Sequence, residues 1–305
     1  MAREFGYLIG MFIPGRLLPA SFGLLLLTAV ATPSLAAVSP WAKFEGGAVR
    51  VISAGPLADG RYDAAIEFAL DPGWHTYWES PGEAGIPPQV DWTQSGNLGS
   101  ARLQYPYPQR YDDGFSISNI YQDGIVLPLT VTPAKADEAV RLELDLAFGN
   151  CKEVCVPGTA RLELTLDPSA PDDKTSARMI ARARADVPMP AQDGDPVISR
   201  LFLRNDGKKE KLDISLALPA DVTADDIEVY AAGPEGASIG VPRRTKPEWK
   251  QATGDWVLSL GGLPKDLDVV PLRFVLVAGR HAIEQRFELN RKTGTATEIH
   301  PAQPR

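Results

Sequence analysis

Cysteine is almost absent from this chain of 305 residues: it has two, Cys151 and Cys155, and can close one disulfide at most. Histidine (three) and methionine (four) are equally sparse, with no His-x-His or Met-rich run, so a tetrahedral zinc site would lack clustered ligands. There is no Ser-His-Asp ordering, phosphate-binding glycine loop, dinucleotide fingerprint or Cys-x-x-Cys on a βαβ pattern. Positive charge is in deficit, with a formal net charge of -8. Nucleic acid and anionic lipid are polyanions, so neither is expected as a partner. Long amphipathic helix patterns are missing. Beyond the N-terminus no apolar run approaches the roughly 20 residues that span a bilayer.

What is present begins with a segment of export type. Arg3 and Arg16 precede an apolar run over 17–31, Pro33 breaks it, and Ser34-Leu35-Ala36 supplies small residues for a signal peptidase. Cleavage is expected after Ala36, leaving a mature chain outside the cytoplasm. The run is short for a membrane anchor. Its charges sum to +1, so the mature chain would carry close to -9.

The rest is punctuated by 27 prolines and 27 glycines, and its pattern is that of strands. Runs over 48–53, 62–70, 74–78, 89–92, 125–132, 140–148 and 160–166 alternate or are β-branched. In 62–70, Ala64, Ile66, Phe68 and Leu70 share one face, the period of a half-buried strand. The runs 140–148 and 160–166 flank the cysteines, which places the pair on the connection between two antiparallel neighbours. A Pro- and Asp-rich break at 167–173 precedes a short helix over 174–185, expected as a linker. Strands resume at 197–204, 212–218, 227–231, 256–260, 269–277 and 283–289, with Asn205-Asp206-Gly207 as a turn signal. The expected fold is all-β: two tandem immunoglobulin-like β-sandwiches after a cleaved signal peptide. Its parts are the signal peptide (1–36), a first sandwich (40–168), a linker with the helix (169–194), a second sandwich (195–292) and a polar tail (293–305).

The cysteines stand in Asn150-Cys151-Lys152-Glu153-Val154-Cys155-Val156-Pro157. Loop entropy gives a five-residue disulfide only about 2 kcal/mol of stabilisation, against about 4.7 for a hundred-residue loop. A bond closing so small a ring at a strand edge is better suited to opening and closing than to stapling. Lys152 favours a thiolate beside it and Glu153 opposes one. Spacing alone leaves three uses open: redox exchange, a structural clamp, or a soft copper site of Cys151, Cys155 and His75 with Met179 or Met189.

Several linked motifs narrow this. Gly73-Trp74-His75-Thr76-Tyr77-Trp78 is followed by Pro81-Gly82, Gly85-Ile86-Pro87-Pro88, Tyr105-Pro106, Ile120-Tyr121, Leu127-Pro128 and the cysteine segment. In that order, over roughly 41–166, they resemble the N-terminal periplasmic domain of the DsbD/ScsB disulfide reductases, closer to the ScsB branch. The resemblance implies a relay without organic cofactor. A membrane-embedded thiol transporter (DsbD/CcdA-like) would donate electrons to the Cys151/Cys155 pair, which would reduce thioredoxin-like or other exported disulfide proteins. Both cysteines would be the redox sulfurs, with Cys151 the first in the mixed disulfide.

The family also implies an aromatic cap loop, and Tyr111-Asp112-Asp113-Gly114-Phe115 lies at the matching place. Phe115 or Tyr111 would cover the sulfurs; otherwise the segment is a solvated acidic turn. His75 and Tyr77 would project near the pair or into the core. Tyr77 and Trp78 point to opposite faces, so at most one can line the site. Two departures stand out. The Cys-x3-Cys spacing is short, and no membrane region or thioredoxin-like domain follows, so a relay would draw those parts from other polypeptides. Two further readings are a non-enzymatic protein-binding module with a structural disulfide and a copper-binding chaperone.

Overall fold

A computed structural model describes residues 37–205, 210–246 and 254–300. The signal-peptide reading and most of the Asn205–Gly207 turn lie outside these residues. The described chain is all-β, as expected, apart from one α-helix and one 3-10 turn. No described helix is long and apolar enough to cross a membrane.

Eleven strands form the first two layers: β1 (Ala42–Phe44), β2 (Gly47–Ser53), β3 (Tyr62–Leu70), β4 (His75–Gly82), β5 (Gln89–Asp91), β6 (Leu98–Leu103), β7 (Gln109–Asp112), β8 (Ile117–Gln122), β9 (Gly124–Pro133), β10 (Val140–Cys151) and β11 (Cys155–Leu166). One sheet runs β1-β2-β3-β9-β6; the other runs β11-β10-β4-β8-β7, with β5 added on β10. The alternation read from the sequence is the cause of the layering. Ala64, Ile66 and Phe68 face Leu142, Leu144, Leu146 and Phe148 in one buried core, and Phe44, Phe68 and Phe148 meet edge to face at 4.8–6.4 Å.

The opposite faces of β2 and β3 are also covered. Ile52 and Ala65 point outward and pack under Ile180, with Met179 alongside, from α1 (Lys174–Ala185). Asp173 caps this helix by accepting from the Thr175 and Ser176 amides. The helix expected as a linker is thus packed on the first sheet.

The remaining strands are β12 (Met189–Pro190), β13 (Val197–Asn205), β14 (Glu210–Ala217), β15 (Ile227–Ala232), β16 (Arg243–Arg244), β17 (Trp256–Ser259), β18 (Val269–Ala278), β19 (His281–Asn290) and β20 (Ala296–Ile299). They form the sheets β12-β19-β18-β15, with β20 on β19, and β13-β14-β17-β16. Within the segment expected as a polar tail, Ala296–Leu289 and Ile299–Arg286 pairings make 296–299 an edge strand on β19.

The sheet carrying β15 and β18 serves two cores. Val229, Ala231, Leu272, Phe274 and Leu276 face the second cluster, while Tyr230, Ala232, Val275 and Val277 face the first. Period-two alternation on hydrophobic strands buries both faces, and the described residues belong to one compact unit. Trp78 sits at this joint, fully buried, 6.1 Å from the Tyr230 ring and beneath the Arg273 guanidinium. Trp78→Ala is expected to cost about 3–5 kcal/mol, measured by urea unfolding. A loss below about 1 kcal/mol would mean that the joint does not depend on this ring.

Candidate functional site

The cysteine site is assembled at the end of the β10–β11 hairpin. β10 ends on Cys151 and β11 begins on Cys155, which stand opposite each other in register. They are joined by a disulfide, with Cα atoms 4.1 Å apart. The connecting residues Lys152, Glu153 and Val154 are all exposed. Cys151 pairs on its other side with His75 of β4, so it lies inside a three-strand ribbon and is only 2% exposed. Cys155 lies on β11, the outermost strand of the sheet, and is exposed. The two cysteines are therefore unequal in exposure, Cys155 open and Cys151, the one expected to react first from motif position, buried.

Tyr77 completes the site. Its Oη lies 2.8 Å from Cys151 Sγ and 3.1 Å from Cys155 Sγ. Disulfide sulfurs carry no proton, so the phenol donates. Its ring occupies a slot that only a glycine can border. A Cβ on Gly85, whose φ is +119°, would come within 2.2 Å of the ring. Thr76, on the other face of β4, donates to the Gly149 carbonyl at 2.8 Å and ties β4 to β10. Trp78 turns away into the core, as strand alternation requires.

His75 is buried, 5.5 Å from the Tyr77 ring and 5.0 Å from the Tyr111 ring. Burial pushes its pKa below the ordinary 6.5, against the opposing pull of Asp113. At neutral pH it is uncharged. Tyr77 moves the other way: burial, then the charge of Asp113 and the neighbouring Tyr111, raise its pKa above 10. It keeps its proton wherever thiols react. Asp113 itself is lowered, chiefly because the Ser116 and Phe115 amides bond its carboxylate.

Those same bonds shape the segment that carries Phe115. The Asp112 carboxylate accepts from the Gly114 amide, and the Asp113 carboxylate from the Phe115 and Ser116 amides. They fold 113–116 into a tight turn at the tip of the β7–β8 hairpin. Phe115 projects from the tip, 100% exposed, and covers neither sulfur here. Tyr111 is the aromatic residue that the hairpin brings inward, over His75. Val154, 72% exposed, and Ile86, 40% exposed, add apolar surface beside the pair; Ile86 is fixed by its carbonyl accepting from the Gly149 amide.

Neither methionine offered for a copper site joins the pair. Met179 packs on the helix cluster, and Met189 begins a strand paired with Ile283. Among the described residues no group of three or more His, Cys, Asp or Glu is gathered as metal ligands. Gly85 and Ile86 stand in the Gly85-Ile86-Pro87-Pro88 motif, whose turn chemistry is their only local signal, and nothing in the sequence around Arg110, next to Tyr111, marks it.

The comparisons agree with this geometry. The family model described as thiol:disulfide interchange protein DsbD, N-terminal, matches residues 48–167. Among solved structures, the N-terminal periplasmic domain of ScsB from Proteus mirabilis is similar at 22% identity and a TM-score of 0.60, over 87% of this chain and 99% of that one. A conserved domain protein from Bacillus anthracis aligns at 10% identity over 85% of this chain and 87% of that one, but its TM-score of 0.25 carries no weight. No curated protein matches the sequence. Over residues 48–167 the chain is therefore similar to the N-terminal domain of the thiol:disulfide interchange protein DsbD, and its fold is similar to that of the ScsB domain.

Proposed function

We propose that this protein is a periplasmic thiol–disulfide relay in which Cys151 and Cys155 accept two electrons from a membrane thiol transporter and pass them to exported disulfide proteins. One observation carries this reading: the pair is unequal, with Cys155 at the sheet edge, Cys151 buried, and one phenol within hydrogen-bond reach of both sulfurs. In the reduced state the Cys155 thiolate attacks a client disulfide. One client sulfur leaves as a thiolate and takes a proton from water. Cys151 then attacks the Cys155 sulfur, the second client thiolate departs, and the Cys151–Cys155 bond is restored. Two electrons and two protons reach the client, and the donor's dithiol reverses the sequence.

No organic cofactor or metal enters these steps. Thioredoxin-like proteins fit as acceptors because the exposed Cys155 lies near the exposed apolar side chain of Val154 on the same hairpin, a small apolar docking surface. The export segment at 1–36 supports the location. The two-core architecture is read as tandem immunoglobulin-like sandwiches with redox chemistry confined to the first. The hairpin tip is read as the cap of the pair, with Tyr111 as the aromatic residue that faces the site.

The deciding measurement is the reduction potential of the Cys151–Cys155 couple in glutathione buffers. A value between about -180 and -270 mV is expected, among exchange-active couples. A value well below about -300 mV would mark a resistant structural bond and leave the binding-module reading in its place.

A further inference from the structure

The hairpin beside the cysteines is fastened from behind by the second half of the chain. β7 is the last strand of its sheet and pairs only with β8. Four residues held by a single row of backbone bonds make a weakly anchored edge. Along this edge the side chains alternate. Tyr111 turns to His75, at 5.0 Å between rings, and Arg110 turns the opposite way.

Arg110 is held by four residues of the second half. Its guanidinium donates to the Val229 carbonyl at 2.6 Å and the Pro242 carbonyl at 2.8 Å. Its Nε lies 3.4 Å from the Glu228 carboxylate, and the group stands 5.1 Å over the Tyr230 ring. These contacts span more than a hundred residues of sequence, so they close only in the folded joint. A second pin sits at the other strand of the hairpin. Glu83 accepts from the Ile117 amide at 3.0 Å and from Arg243 of the second half at 2.6 Å.

We propose that Arg110 is a positioning residue for the cysteine chemistry: through it the second half holds Tyr111 and the Asp113 tip against His75 and Tyr77. The proposal rests on the exchange reading above and gives the second half a task within it. Arg110 touches neither sulfur. It acts by keeping the ring series Tyr111, His75, Tyr77 closed beside Cys151, so that the buried sulfur stays shielded from small reagents.

The test is the iodoacetamide alkylation rate of Cys151 in the reduced full-length protein, read by mass spectrometry separately from that of the exposed Cys155. Arg110→Ala and Tyr111→Ala are each expected to raise it at least about fivefold, by freeing the edge strand. The double variant is expected to be no faster than Tyr111→Ala alone, because the two residues act in series. Arg243→Ala, at the more exposed pin, is expected to shift the rate the same way and decides the matter if Arg110→Ala does not fold. A lowered melting temperature with an unchanged alkylation rate would reduce Arg110 to a structural contact and overturn the proposal, as would additive rates in the double variant. A resistant reduction potential alongside the expected rates would remove the exchange reading alone. An exchange-active potential with unmoved rates would remove only the role of Arg110.

Discussion

Cys155→Ser is expected to end exchange with any disulfide partner, whereas Cys151→Ser is expected to keep the first attack and accumulate as a mixed disulfide. The asymmetry follows from sheet order. Cys151 has a neighbour strand on each side, β11 and β4, while Cys155 begins the strand with a free edge. A partner sulfur approaching in line with the disulfide reaches Cys155 without moving backbone. Cys151 is 2% exposed, packed with Tyr77 and Ile120. Once a mixed disulfide forms on Cys155, only the Cys151 thiolate is placed to resolve it, and serine there leaves the adduct trapped.

Both variants lose the same cross-link, worth about 2 kcal/mol for a loop this short, so a difference between them reports chemistry and not folding. Each reduced variant is mixed with an oxidised thioredoxin-like protein and followed on non-reducing gels. An adduct formed by Cys155→Ser and not by Cys151→Ser would reverse the assignment and require the Tyr77 and Ile120 packing over Cys151 to loosen before reaction.

How far this site could be read in the sequence depends on the range of the interactions. The runs 140–148 and 160–166 alternate so regularly that their pairing, and the cysteines between them, followed from period alone; the strands extend to Cys151 and Cys155. The opposition of Tyr77 and Trp78 came from the same rule. The short strands Leu98–Leu103 and Gln109–Asp112 were not legible. Their exposed polar residues carry little hydrophobic period, and pairing to long neighbours is what makes them strands. The inequality of the sulfurs was also hidden, because it depends on which strand is outermost, a property of sheet order. Phe115 and Tyr111 are cap candidates from the resemblance alone, and the direction each takes depends on the turn between them. The side-chain bonds of Asp112 and Asp113 decide the direction of Phe115, and they send it outward. The joint between the halves was least visible of all. β15 and β18 are apolar on both faces, which marks double burial, but nothing local says that the second face is covered by Trp78.

Tyr77→Phe is expected to slow opening of the disulfide about 10–100-fold, the equivalent of losing one hydrogen bond to a charged sulfur at roughly 1.5–3 kcal/mol. When a partner thiolate attacks Cys155, the electrons of the broken bond go to Cys151, buried in surroundings that disfavour a bare charge. The Tyr77 hydroxyl, 2.8 Å away, is the donor in place to meet that charge. Neutral His75 adds no positive charge to help. Phenylalanine keeps the ring in the slot bordered by Gly85 and removes only the donor, so the unfolding midpoint is expected to stay close to that of the unaltered protein.

The pH dependence gives this effect a signature. The Tyr77 pKa is raised above 10, so the donor is present at neutral pH and is lost only as pH climbs through that raised value. The gap between the two proteins should be constant through the neutral range and close at strongly alkaline pH. Rates of reduction by a small dithiol, taken from neutral to alkaline pH, measure it. Equal rates for both proteins at neutral pH would show that the phenol merely packs beside the sulfurs. The burial difference between Cys151 and Cys155 would then be the whole basis of their reactivity.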